Sequence, residues 1–523
     1  MEKENNSTVK AVSFMMIITL VGKILGLIRD QLLAGNYSVG MEASAFLTAS
    51  RIPRIFFDVV FASAISASFI PVFNEYMKKR GKQEAFRLSN NFITVVLMLT
   101  SAITVFGMIF APQLTELFAD GFDEQTAALC TSLLRILFPA TIFTGLAFSF
   151  VGILQSMDEF NVPAAMSIAS NLVIIIYYIV FNKKFGIYGL TVAFLIGWAA
   201  QAIVQLPSLI KKEFIYKPYF KPKDEGLKKI IMLMLPVMVS TWIQPINLAI
   251  NTRFASRLFE GSGVSAIEYA NTLYSIIVGV FVLSIANVIF PKLSRMTVDN
   301  DSKKFGNTVG LTIRVMMFFV LPMMAGLMCL SSLVVNIIYM RGAFTEFASL
   351  ITSKALFFFT PGMVGFAVQA ILSRAFYAEQ NGKIPLISGI ISIGVNVALC
   401  VMLTEKMDVG GLAFASAVSQ SVSAVLLIVP MQKKNKIFDK EFVCEVIKMI
   451  ICTVIMAAVV IAVKAVALPM LPSGFIGNVI CASVCVALGG AVYAVLSYIL
   501  KIQEALMAVD MIFKILRKER KNK

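Results

Sequence analysis

Residues 10–76 read KAVSFMMIITLVGKILGLIRDQLLAGNYSVGMEASAFLTASRIPRIFFDVVFASAISASFIPVFNEY, two hydrophobic runs that each carry ionic side chains in mid-run. Lys23, Arg29 and Asp30 lie in the first; Arg51, Arg54 and Asp58 lie in the second. A charge at the centre of a bilayer helix costs about 2.5–3.5 kcal/mol even on the lenient insertion scale, so such a set must face water or partners. The two runs are therefore expected to line a polar cavity. Arg51, Arg54 and Asp58 step by three and four residues, which places them on one helical face. Pro53 and Pro71 each remove a backbone hydrogen bond and are expected to bend the second helix. A blander reading stays open at this level: Arg29 and Asp30 as an end-of-helix pair, with Lys23 snorkelling to an interface.

Composition sets the class around this stretch. Of 523 residues 58% are hydrophobic and only 15% charged, and the mean hydropathy is +0.83, values that exclude an ordinary soluble protein. The chain reads as an all-α polytopic membrane protein. Its first apolar run is long and ionic with no small-residue cleavage site, and is expected to stay in the mature protein. The net charge of +16 would suggest nucleic acid in a soluble domain. Here the basic residues cluster in short loops between apolar runs, a record of membrane orientation, so no nucleic-acid partner is expected. Seven scattered cysteines and no histidine argue against a disulfide framework or a zinc site.

Apolar spans of membrane length fall near 12–33, 43–73, 90–111, 131–155, 162–181, 187–210, 229–256, 265–290, 308–331, 352–377, 384–404, 410–431, 443–467 and 475–500, about 14 helices in all. Lysines and arginines crowd the loops after the second, sixth, eighth and twelfth spans and the tail RKERKNK. With fourteen crossings these all fall on one side, which puts both termini in the cytoplasm; Lys183 and Lys184 are the mild exception. The segment 211–228, KKEFIYKPYFKPKDEGLK, reads as a strap at the anionic cytoplasmic surface. The tail 501–523 reads as a basic amphipathic helix.

A shift of 222 residues overlays Pro139 on Pro361, Pro163 on Pro385, Gly189-Leu190 on Gly411-Leu412 and Lys211-Lys212 on Lys433-Lys434. These residues punctuate kinks and turns, so the first six spans are expected to be duplicated as the next six. An even number of crossings makes the copies parallel, related by a pseudo-twofold axis along the membrane normal. The expected organisation is an N-terminal lobe at 1–210, the linker at 211–228, a C-terminal lobe at 229–432, two further helices at 433–500 and the tail. The ions concentrate in the first copy, with Arg253 and Arg257 in the second. Rocking of the lobes would give alternating access.

GKILGLIRD (Gly22 to Asp30), GMEASAF (Gly40 to Phe46), SFIPVFNEY (Ser68 to Tyr76), INTRFASRLFEGSGVSAIEYANTL (Ile250 to Leu273) and IFPKLS (Ile289 to Ser294) resemble the corresponding segments of the MurJ (MviN) family. That family lies within the multidrug, oligosaccharidyl-lipid and polysaccharide exporter superfamily. The resemblance implies a fourteen-helix lipid II flippase that carries the undecaprenyl-pyrophosphate-linked peptidoglycan precursor across the plasma membrane for cell wall synthesis. It also implies that Lys23 and Arg29 point into a central cavity with Asp30 beside them. The chain departs from the family pattern at Ser44, Phe57, Ala62 and Thr272, where aspartate, arginine, glutamate and arginine are usual. Arg51 or Arg54 stands close enough to restore the helix-2 charge.

The expected binding set for the anionic head group is thus Lys23, Arg29, Asp30, Arg51, Arg54 and Arg253, because cations offset the desolvation of a pyrophosphate. No GxxxxGK[ST] loop occurs, so ATP is not expected as a partner and no cofactor is expected. The drivers left are the membrane potential or a coupled ion, Na+ or H+, with Asp30 and Asp58 the acids available for coupling. The alternatives are a flippase for another polyprenyl-linked oligosaccharide, or a multidrug exporter, whose cationic substrates would want acids instead. An enzyme on lipid-linked sugars would need a larger outer loop than this chain has.

Overall fold

The structure is a computed structural model that describes the backbone of residues 2–298, 302–507 and 510; the side chains of residues 2–17, 56–63, 66–67 and several positions within 236–244 and 277–302 lie outside the description. Among the described residues every regular element is helical. The chain divides into two compact units, residues 1–265 and 266–523.

The first unit comprises α1 (Glu2–Tyr37), α2 (Met41–Arg80), α3 (Lys82–Ile109), α4 (Ala111–Phe118), α5 (Glu124–Leu137), α6 (Ala140–Ser156), α7 (Asn161–Val180), α8 (Asn182–Ile203), α9 (Leu206–Lys211), α10 (Glu225–Thr241) and α11 (Ile243–Ser256). An apolar cluster joins α2, α3, α6 and α10 through Phe69, Phe73, Phe92, Phe150 and Ile230. The repeat assigns α10 and α11 to the second copy, yet both pack on α2. The boundary of compactness therefore falls past the linker, because Leu227, Ile230 and Met234 of α10 complete the first unit's core. α2 runs as one helix of 40 residues through Pro53 and Pro71.

The second unit holds most of α12 (Ser262–Val298), then α13 (Ser302–Cys329), α14 (Ser331–Tyr339), α15 (Glu346–Phe359), α16 (Gly362–Ala378), α17 (Lys383–Met407), α18 (Val409–Asn435), α19 (Lys440–Met470) and α20 (Phe475–Ile499). Phe318, Met449, Cys481, Cys485 and Tyr493 knit α13, α19 and α20 together, and the Tyr493 hydroxyl donates to the Phe318 carbonyl at 2.8 Å. After α20 the chain turns back, and Glu504 pairs with Arg314 of α13. Most of the basic tail lies outside the described residues.

Among the described residues eight helices are long and apolar enough to cross a membrane, or ten if each of two bent pairs is one span. The remaining expected spans coincide with α1, α2, α10 with α11, and α12.

The duplication is written in the backbone of each copy. The two bent pairs, α5 with α6 and α15 with α16, turn by 40° and 45°, and the breaks fall at Pro139 and Pro361, which begin α6 and α16 as their caps. Positive φ recurs at the same shift of 222 residues: Ser38 and Glu260 at 54° and 53°, Asp158 and Gln380 at 59° and 57°, Gly186 and Asp408 both at 53°. Gly186 and Asp408 also share ψ, −146° and −134°, a region that side chains rarely enter. Each sits in the tight turn of a helical hairpin, α7 with α8 or α17 with α18.

A Cβ at Gly186 would meet nothing within 4 Å, so substitution there tests backbone strain alone. Gly186→Ala is expected to cost about 1–2 kcal/mol, read as a lowered melting temperature in detergent. An unchanged melting temperature would mean the turn relaxes freely.

Candidate functional site

A cavity of about 180 Å³ opens inside the first unit among α1, α2, α5, α6, α7 and α8. Arg29 and Arg54 enter it, with Ser50, Thr141, Thr144, Ser167, Ser170, Asn171 and Gln201 supplying neutral polar groups and Phe194 and Trp198 aromatic walls. Two guanidiniums among hydroxyls and amides are groups that can bond an anion with several acceptor oxygens.

Arg29 is held from three directions. Its Nε and Nη2 donate to Asp30 Oδ1 at 2.9 and 2.8 Å, its Nη1 donates to Asn171 Oδ1 at 3.2 Å, and its guanidinium lies 5.5 Å from the Phe194 ring centre. Asn171 Nδ2 donates in turn to the Gly22 carbonyl at 3.1 Å. Gly22 permits this close approach of the two helices, since a Cβ there would collide with Ser167 Oγ. The Gly22-x-x-x-Gly26 spacing thus brings α1 against α7 in the manner of small-residue membrane contacts, and fixes where Arg29 projects.

The other expected site residues divide. Arg51 and Arg54, three residues apart, serve different neighbours instead of one face. Arg51 is buried and donates to Thr252 Oγ1 of α11 at 2.6 Å, whereas Arg54 lines the cavity. Lys23 stands exposed on α1, outside the cavity lining. The side chain of Asp58 lies outside the described residues, as do those of Phe57 and Ala62. Ser44, where the family pattern has aspartate, makes a buried hydroxyl pair with Ser265 at 2.6 Å.

Arg253 is engaged elsewhere. Its Nε and Nη2 donate to Asp120 Oδ2 at 3.1 and 2.8 Å, and its Nη1 donates to the Leu117 carbonyl at 3.2 Å. Arg257 donates to the same carboxylate at 3.0 and 2.5 Å, and the Gly121 N–H donates to Ser256 Oγ at 3.0 Å. These contacts lash the loop between α4 and α5 to the end of α11. The guanidinium of Arg257, and then that of Arg253, holds the Asp120 carboxyl below the usual carboxylate range against the opposing effect of burial.

Sequence reasoning missed the neutral half of the cavity. Asn171 and Gln201 are amides inside apolar spans, and nothing in their spacing pointed to Arg29 or to the cavity.

A bundle of membrane-length helices built around a polar cavity with two cations is the architecture of a membrane transporter. The comparisons narrow that class. The family model described as lipid II flippase MurJ matches residues 36–479. A probable lipid II flippase MurJ of Vibrio cholerae serotype O1 is 30% identical over 421 residues, spanning 78% of this chain and 80% of the relative. The solved structure of lipid II flippase MurJ in an inward closed conformation aligns with a TM-score of 0.79 at 26% identity, over 93% of this chain and 98% of that one. An inward-facing multidrug resistance MATE family transporter of the MOP superfamily shares the fold alone, with a TM-score of 0.68 at 15% identity over 81% of this chain and 98% of that one. The chain belongs to the MurJ family.

A group with a lowered folded pKa stabilises above its unfolded value, and that contribution is lost as pH falls through the folded one. The Asp120 lashing should therefore be fully in place at neutral pH and loosen only below about pH 4, near the ordinary carboxylate value of 3.8. Asp120→Asn is expected to destabilise by about 1–2 kcal/mol, allowing for solvent screening of the partly exposed arginines. The melting-temperature gap between variant and parent should hold from pH 8 to 5 and close under stronger acid. A gap that widened on acidification would contradict this assignment.

Proposed function

We propose that the chain moves lipid II from the inner to the outer leaflet of the plasma membrane, working as a transporter and not as an enzyme. The observation that carries this reading is the convergence of Arg29 and Arg54 on one polar cavity in a chain of the MurJ family. The head group of such a lipid is a pyrophosphate bearing sugars and peptide, and its greatest cost in leaving water is the loss of phosphate hydration. Charge-assisted hydrogen bonds from guanidinium groups, each worth about 1.5–3 kcal/mol, offset that loss. The prenyl tail can stay in the bilayer throughout.

Asp30 occupies the Nε and Nη2 side of Arg29. An arriving phosphate competes with this carboxylate, so Asp30 acts as the counter-ion that positions the arginine between cycles. The same carboxylate is available to a coupled cation, Na+ or H+, while the membrane potential is the alternative driver. The cycle uses no ATP. Alternating access presents the cavity first to one leaflet and then to the other, with both termini in the cytoplasm.

Depletion of the protein in cells that depend on it should make lipid II accumulate in the inner leaflet; accumulation of a different polyprenyl-linked sugar, or of none, would overturn the reading. Arg29→Ala is expected to lower flipping at least tenfold while the protein stays inserted and folded. Arg29→Lys should fall between, since it keeps the charge and loses the planar fork. Normal growth on Arg29→Ala alone would remove this residue from the mechanism.

A further inference from the structure

The linker between α9 and α10 is not a loose connection. Lys217 and Lys221 precede Pro218 and Pro222, a pattern that favours extended backbone and forbids a helix. The extended segment is pinned along α3 by its own main chain. The Lys217 N–H donates to Asn90 Oδ1 at 3.1 Å, the Tyr219 N–H to Thr94 Oγ1 at 3.3 Å and the Lys221 N–H to Asn91 Oδ1 at 2.8 Å. Asn91 Nδ2 returns a bond to the Lys221 carbonyl at 2.8 Å. Phe214 is buried in the core of the first unit, Tyr216 meets Thr94 through its hydroxyl at 3.0 Å, and the Arg87 guanidinium lies 4.6 Å from the centre of the Tyr219 ring.

Those inward contacts leave a defined outer face. Ile215 is 64% and Phe220 54% exposed, and Lys217, Lys221 and Lys223 are exposed among them. The pinning points set the depth of this face. α3 has 28 residues and is therefore about 42 Å long, whereas the hydrocarbon core needs about 20 residues and 30 Å. The last charge of α3 is Arg87, and from Phe92 to Ile109 the helix is free of charge. Asn90, Asn91 and Thr94 consequently stand where the hydrocarbon core begins, at the end of α3 that carries the basic loop Lys78, Lys79, Arg80 and Lys82.

We propose that residues 214–223 form a lipid-binding strap: Ile215 and Phe220 insert at the hydrocarbon boundary while Lys217, Lys221 and Lys223 bind the phosphates of anionic phospholipids in the adjoining leaflet. Apolar rings below and ammonium groups above match the two layers of that interface. The strap holds the span from α9 to α10 against the bilayer, and so couples the start of α10 to lipid charge. This inference is independent of which lipid is transported, since it concerns bulk phospholipid.

The test uses the full chain reconstituted in bilayers. Phe220→Trp adds one indole to Trp198 and Trp242, and its emission is read as the difference from the parent. Phosphatidylcholine brominated high on the acyl chain should quench the added emission more than the same lipid brominated near the chain end. Brominated phosphatidylglycerol, titrated into phosphatidylcholine, should quench at lower mole fraction. Changing Lys217, Lys221 and Lys223 to Gln together removes the charge and leaves the main-chain bonds to α3 in place. Three basic residues near an anionic surface are worth roughly a hundredfold in affinity, so that variant should need at least tenfold more phosphatidylglycerol for half-maximal quenching. Emission that no brominated lipid quenches would place the strap in water and overturn the proposal. Quenching that ignores lipid charge, or survives the triple change unaltered, would overturn its headgroup half. Neither outcome bears on lipid II transport, which is read separately.

Discussion

A guanidinium within a membrane-spanning bundle is tolerable only if counter-charge, hydrogen bonds and polarisable surface replace the water it gave up. At Arg29 these are Asp30, Asn171 and the face of Phe194. Each belongs to a different packing decision. Asp30 follows in sequence, Asn171 requires α7 to lie against Gly22, and Phe194 requires α8 to close over the same turn of α1. The cavity with Arg54 opens beside this cradle, lined by hydroxyls and amides that cost little to bury when bonded to carbonyls in their own helices. Thr144, for example, donates to the Ala140 carbonyl. Charged and neutral polar side chains thus line one cavity.

The two copies of the duplicated bundle keep the same turns and differ in chemistry. Hairpin corners and proline breaks recur with the same backbone angles because chain direction is what the repeat must preserve. Side chains within the spans are under no such constraint. Asn251 and Thr252 stand at the positions equivalent to Arg29 and Asp30, and Leu273 and Ile276 at those of Arg51 and Arg54. The two arginines of the cavity thus have uncharged counterparts in the other copy. Thr252 takes a different task and accepts from Arg51, so a residue equivalent to the counter-ion of one arginine supports another.

α10 and α11 are tethered to the rest of the first unit at both ends. At the basic-loop end Glu75 of α2 pairs with Lys229 of α10 and with Lys79, and these ammonium groups pull the Glu75 carboxyl down to about 2. At the other end Asp120 holds Arg253 and Arg257. The Glu75 contacts are solvent-exposed and individually weak; the Asp120 contacts are multidentate and partly shielded. Movement of this helix pair in a transport cycle must break or carry along both sets.

The sequence by itself determined the class, the duplication and the first charged helix. Hydropathy, loop charge and punctuating residues are local signals, and a buried charge is costly enough to be conspicuous without any coordinates. The motifs in the first 300 residues carried the family resemblance. Tertiary structure decided which charges meet. Arg51 and Arg54 look equivalent along one helix, yet one turns to α11 and the other to the cavity, because a rotation of about 60° per three residues is enough to change neighbours. Arg253 looked like a ligand-binding cation, and in the fold it pairs with Asp120, more than a hundred residues away. Asn171 and Gln201 became visible as site residues only when folded, since a neutral amide in an apolar span acquires meaning from the partner it reaches.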